Sequence, residues 1–224
     1  EVLLGPQGVI EARSLPRSVM LCPTIAPADT EVLAKALALH GIACLDAPIS
    51  GGPVRARSGE MSLMLACTEP AYQEHASLIA ALSSRVFRLG ERIGDGARTK
   101  LVNNLLAAIN LAGAAEVLAL ASTMGLDAGR TLDVIAQSSG QSWIGEDRLR
   151  RAVEGDYAPR AHTTLLAKDT RLAIEAAAAR GVAPALGTLA ARAFAQAEGA
   201  GQAGEDDASL YKFFLSGGAG QLKT

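Results

Sequence analysis

A change of rhythm near residue 90 limits what this chain can fold into more than any other feature of its sequence. Up to Leu89, short apolar runs alternate with amphipathic ones. Ser18 to Cys22, Ile42 to Asp46, Met61 to Cys67 and Arg85 to Leu89 read as strands, and Ala28 to His40 and Pro70 to Leu82 read as helices. Beyond Gly90 the strands stop. Ala97 to Thr123 is one long helical pattern without proline, closed by Gly125, and Asp127 caps a second helix running to about Gln137. Ser139 to Tyr157 reads as a polar connection carrying the only tryptophan. His162 to Arg180 is a further helix, and Pro184 starts another that ends near Gly199. After the glycine-rich stretch Gly199 to Gly204 comes a last short helix, about Asp206 to Leu215, and then a Gly/Lys tail read as frayed.

Strand–helix alternation at this spacing predicts an α/β sheet covered by helices, followed by an all-α half. The expected plan is two domains, residues 1–95 and 96–224, with a long linking helix over about 97–124. With 224 residues, 49% of them hydrophobic, there is enough apolar material for a proper core. Lys and Arg number 21 against 23 Asp and Glu, a net charge of −2, which gives no electrostatic reason to bind nucleic acid or anionic lipid. Asn103, Asn104, Asn110 and Glu116 interrupt the most apolar stretch, so it is expected to be too polar to cross a bilayer. Cys22, Cys44 and Cys67 are widely spaced with no CxxC, and are read as reduced core thiols of a cytoplasmic protein. His40, His75 and His162 are scattered, so no metal site is expected.

Three places carry residues suited to chemistry. Asp46-Ala-Pro-Ile-Ser-Gly-Gly52 follows a predicted strand, and two glycines after a serine let main-chain N–H groups converge on an anion because no Cβ blocks the approach. The same stretch also reads as a simple tight turn. Lys100 and Asn104 fall one turn apart on the long helix, about 6 Å between Cα atoms. The surrounding leucines and alanines should bury that face. Burial of Lys100 would lower its pKa toward neutrality, where it can exchange a proton with a substrate hydroxyl; a lysine snorkelling to solvent is the other reading. Lys168-Asp169 interrupts an apolar helix, either reaching a cleft or forming an exposed ion pair. Ser139-Gly-Gln-Ser-Trp143 is either a substrate loop or a helix terminator.

In their order these pieces resemble the β-hydroxyacid dehydrogenases, the 3-hydroxyisobutyrate dehydrogenase family. The matching residues are Cys22-Pro-Thr-Ile-Ala-Pro27, Asp46 to Gly52 with Ala56, Gly59 and Met64, Gly96-x-x-x-Lys100-x-x-Asn-Asn104, Glu116 ahead of Met124-Gly-Leu-Asp127, and Lys168-Asp169. Ser139 to Trp143 and Gly204-Glu-Asp-Asp-Ala-Ser209 look closest to its L-threonate dehydrogenase branch. The resemblance implies an incomplete Rossmann-like domain joined by the long helix to a helical domain. It also implies NAD or NADP as cofactor and a small hydroxy acid as substrate. Lys100 would be the catalytic general acid/base, Asn104, Ser50, Gly51 and Gly52 would bind substrate, and Thr24 and Lys168 would contact the cofactor.

Family members open with a strand and a GxGxxG turn for the dinucleotide pyrophosphate, and Gly5-Pro-Gln-Gly8 does not match it. On the resemblance, the chain enters the family pattern some 70 to 80 residues in, given the length of the βαβ units not seen here. Taken literally, it is expected to bind NAD(P) poorly. A non-catalytic binding or assembly module that keeps the fold is therefore a second reading. The long alanine-rich helix, with faces smooth enough for close packing, leads to the expectation of a homodimer or homotetramer.

Overall fold

The computed structural model describes residues 1–218, so the expected frayed tail from residue 219 on lies outside the described residues. The chain divides into two compact units with the boundary between Val102 and Asn103. An α/β sheet unit is followed by a helical one.

The first unit builds its sheet from β1 (Ser18–Leu21), β2 (Ala43–Asp46), β3 (Ile49–Ser50), β4 (Ser62–Leu65) and β5 (Arg85–Arg88). β1 and β2 run parallel, Ser18 opposite Ala43 through Leu21 opposite Asp46. β3 is antiparallel to β4, and β4 is parallel to β5. A bridge between Asp46 and Ala66 ties the two ladders together. β2 and β3 are thus one strand line interrupted at Ala47-Pro48. Proline has no N–H to give to a ladder, but its carbonyl still accepts from Met64 at 3.0 Å. Helices α1 (Pro27–Ala38), α2 (Gly52–Arg57) and α3 (Glu69–Leu82) connect the strands. Proline sits in the first turn of each, where its missing N–H would have had no partner. The core beneath is Leu45, Ala47, Leu63, Leu65, Cys67, Ala71 and Ile79.

The long helix α4 (Asp95–Thr123) begins in the first unit and continues into the second. By length and composition alone it could span a bilayer: its most apolar 18-residue window has a mean hydropathy of 1.8, despite the asparagines and Glu116. One of its faces lies in the core of the helical unit. There Ala108, Leu111, Ala112, Ala115, Leu118 and Ala119 pack with Leu132, Leu149, Phe194, Leu210, Phe213 and Phe214. The other helices are α5 (Ala128–Ala136), α6 (Trp143–Val153), α7 (Thr163–Ala178), α8 (Ala185–Ala197) and α9 (Leu210–Leu215). Asp127 caps α5 by accepting from the Arg130 N–H at 2.8 Å.

The sequence reading is corrected in two places. Residues 139–157 are not a loop, because α6 occupies most of them, with the Ser142 hydroxyl accepting from the Gly145 N–H at 3.2 Å. Its inward positions, Gly145, Arg148, Leu149, Arg151 and Ala152, follow helical spacing, but arginines fill two of them and mask the apolar periodicity. The stretch from Asp46 to Gly52 is not a single turn either, since it holds the end of β2, all of β3 and the first residue of α2.

Candidate functional site

Ser50 ends β3 half-buried, and Gly51 and Gly52 follow it with φ of 124° and 68°. Both values lie where side chains other than glycine are strained. A Cβ on Gly51 would strike the Arg55 side chain at 2.8 Å, whereas one on Gly52 would meet nothing within 4 Å. The backbone at Gly52 is therefore open to a bound group. Thr24, also half-buried, lies in the connection between β1 and α1 beyond the carboxyl end of β1. That is where open α/β sheets bind their ligands.

At the end of β2, Asp46 is 1% exposed and turns its carboxylate to the first turn of α4. Its Oδ2 accepts from the N–H of Gly94 at 2.8 Å and of Ala97 at 3.2 Å. Burial pushes the Asp46 carboxyl above its ordinary range, and the backbone donors pull in the opposite direction. This contact fixes the start of the helix that carries Lys100, which is 7% exposed. One turn further on, in the helical unit, Asn104 is 8% exposed.

Asn104 Nδ2 donates to Asp169 Oδ2 at 2.6 Å, and Asn103 Nδ2 donates to Asn104 Oδ1 at 3.0 Å. Lys168 Nζ lies 2.8 Å from Asp169 Oδ1, close enough for an ion pair though not aligned as a hydrogen bond. The pair is not an exposed one: the Asp169 side chain is 8% exposed, the Lys168 side chain 39%.

A second buried polar cluster was given no role by the sequence. Arg148 Nε donates to Asp207 Oδ1 at 2.6 Å, and Arg151 Nη2 to Asp206 Oδ1 at 2.7 Å. Asp206 Oδ2 also accepts from the N–H groups of Arg160 and Ala161, at 2.7 and 3.3 Å. Burial favours the neutral form of Asp206, but these backbone donors outweigh it and hold its carboxyl below the usual range. Burial, with the Asp206 charge beside it, pushes Asp207 up to about 7 against the pull of Arg148. The acidic pair was visible in Gly204 to Ser209; its arginine partners were hidden in α6, where no helix was expected. Among the described residues, no three His, Cys, Asp or Glu side chains gather as a metal-binding group.

Comparison with known proteins adds the family. Residues 1–90 match the NAD binding domain of 6-phosphogluconate dehydrogenase, and residues 94–214 the family model described as NAD-binding of NADP-dependent 3-hydroxyisobutyrate dehydrogenase. An L-threonate dehydrogenase of Escherichia coli is 36% identical over 96% of this chain and 71% of its own length. The chain belongs to the β-hydroxyacid dehydrogenase family. Among solved members of this dehydrogenase family, 3-hydroxyisobutyrate dehydrogenase from Salmonella typhimurium superposes with a TM-score of 0.84 at 36% identity, over 88% of this chain and 69% of that one. Psf3, solved in complex with NADP+ and 2-OPP, gives a TM-score of 0.81 at 28% identity, over 92% and 72%. The fold is the expected one, a Rossmann-like α/β part followed by a helical part, and the cofactor of such a dehydrogenase is NAD or NADP. The string Gly199-Ala-Gly-Gln-Ala-Gly204 spells GxGxxG but follows α8 and not a strand, so it is not the turn that holds a pyrophosphate.

Proposed function

We propose that this protein is an NAD(P)-dependent oxidoreductase of the CH–OH group of a small hydroxy acid of the L-threonate or 3-hydroxyisobutyrate type, with Lys100 as general acid/base. One observation carries the reading: an amine and a carboxamide, each less than a tenth exposed, stand one turn apart on α4 in a chain of this dehydrogenase family. A buried titratable group in such a position is a candidate for proton transfer.

The Ser50 hydroxyl and the main-chain amides of Gly51 and Gly52 hold the substrate carboxylate, a role supported by the positive φ of both glycines and the open space over Gly52. Asn104 orients the substrate hydroxyl, and Lys100 takes its proton in oxidation and returns it in reduction. Thr24 and Lys168 bind the cofactor at its nicotinamide end. The nicotinamide ring, when bound, accepts the hydride or gives it back. The preference for an L-threonate-like acid rests on the 36% identity to the Escherichia coli enzyme.

The decisive experiment is Lys100→Ala, assayed for NAD(P)-linked oxidation of L-threonate and of 3-hydroxyisobutyrate alongside circular dichroism. Turnover should vanish while the fold is kept; unchanged turnover would overturn the mechanism. The competing reading, a non-catalytic binding or assembly module, is separated by titrating with NADH and following fluorescence, since a module gives no enhancement.

The domain assignment follows from the same reading, with residues 1–95 as the C-terminal part of a Rossmann-like NAD(P)-binding domain and 96–224 as the helical domain. We also propose a homodimer or homotetramer. α4 keeps a row of exposed apolar residues, Leu106, Val117 and Leu120, on the side away from its core face, and a second copy would cover it. A cytoplasmic location accords with three free cysteines.

A further inference from the structure

Asp169 touches neither of the groups assigned to proton transfer and carboxylate binding, yet it is buried and makes the shortest polar contact of Asn104. A carboxylate can only accept hydrogen bonds, whereas a carboxamide has one end that accepts and one that donates and can turn over by half a rotation. Facing Asp169 Oδ2 at 2.6 Å, the Asn104 carboxamide can present only its Nδ2 side. Its Oδ1 is met from the other side by Asn103 Nδ2 at 3.0 Å. The amide is thereby locked in one of its two orientations, with one Nδ2 hydrogen and one Oδ1 lone pair still to give. Lys168 Nζ, 2.8 Å from Asp169 Oδ1, holds the carboxylate from its far side.

We propose that Asp169 is a positioning residue for the reaction, acting through Asn104: it fixes the carboxamide so that its remaining donor meets the substrate in one direction only. This rests on the dehydrogenase reading above, in which Asn104 binds substrate. Asn at position 169 would offer both a donor and an acceptor at the same place and in the same volume, so it permits either orientation of Asn104 without opening a cavity.

Three variants test it: Asp169→Asn, Asn104→Ala and the double variant. Asp169→Asn should lower kcat by up to about a hundredfold, the scale of a misplaced reacting partner, with a smaller change in KM and an unchanged melting curve. Because Asp169 acts through Asn104, adding Asp169→Asn to Asn104→Ala should cost nothing further. Losses that multiply in the double variant, or an unchanged kcat in Asp169→Asn, would overturn the proposal. A readout independent of turnover is the Asn104 side-chain amide in proton–nitrogen NMR. In the parent, one of its two protons should be shifted downfield and slow to exchange, and Asp169→Asn should abolish this; its absence from the parent overturns the lock. Should Lys100→Ala keep full turnover while the NMR signature is present, the dehydrogenase mechanism has failed but the lock stands. A dead Lys100→Ala beside a normal Asp169→Asn sinks the positioning role alone.

Discussion

The carboxylate of Asp46 lies so close to Gly96 that a Cβ there would fall 2.8 Å from both Asp46 Cγ and the Asp46 carbonyl oxygen. No side chain larger than hydrogen fits between the end of β2 and the first turn of α4. Gly96→Ala should therefore push the helix start off its capping carboxylate and destabilise the protein by about 1–3 kcal/mol, the usual cost of overpacking. Urea unfolding followed by circular dichroism measures it, and a midpoint equal to that of the parent would show that the contact yields.

Asp207 gives a pH dependence with a definite sign. Its carboxyl is raised to about 7 in the folded protein from an ordinary value of 3.8, so the fold favours the protonated form. The stabilisation it brings is complete below the ordinary value and is lost as the pH rises through about 7. Between about pH 5 and about pH 7 the melting temperature should fall, levelling off above that, and Asp207→Asn should flatten that slope because it cannot ionise. Differential scanning fluorimetry across this interval is the measurement. A parent protein whose melting temperature rises over the interval would contradict it.

The helical core makes a third test. Phe194 is fully buried among Leu111, Leu118 and their neighbours. Phe194→Ala should cost about 3–5 kcal/mol by losing both the transfer energy and the packing around the void. Chemical denaturation gives the value, and a loss below 1 kcal/mol on that scale would mean that the site collapses around the gap.

The apolar row on α4 predicts an effect on assembly and not on folding. Leu106 and Leu120 are 57% and 56% exposed. Replacing both with glutamate should leave the far-ultraviolet spectrum intact and shift the mass seen by light scattering to that of one chain. An unaltered mass, or a parent that already runs as one chain, would overturn this assembly.

Much of the fold could be read from residue patterns, and the exceptions have physical causes. β1, β2, β4, β5, α1, α3 and the long α4 follow apolar periodicity bounded by proline or glycine, and each was found within a few residues of its expected ends. α6 escaped because Arg148 and Arg151 face inward, paired with Asp207 and Asp206 from residues more than fifty positions away. Periodicity counts apolar side chains and cannot register a core position satisfied by an ion pair. β3 and α2 were too short to leave a pattern. The burial of Lys100 and Asn104 was foreseeable from the leucines and alanines beside them. The place of Asp169 stayed open, since Lys168-Asp169 read equally as reaching a cleft or as an exposed ion pair; its contact with Asn104 exists only in the folded chain.

One uninterrupted rod of backbone carries both Lys100 and Asn104, yet the border between the two compact units passes between them, after Val102. A dissection of the gene along that natural seam, the obvious choice for making separately expressed halves, would leave the amine on one polypeptide and the amide on the other. Fragment complementation would then have to rebuild a single helical turn from two loose ends, so reconstituted halves should recover far less than the intact chain.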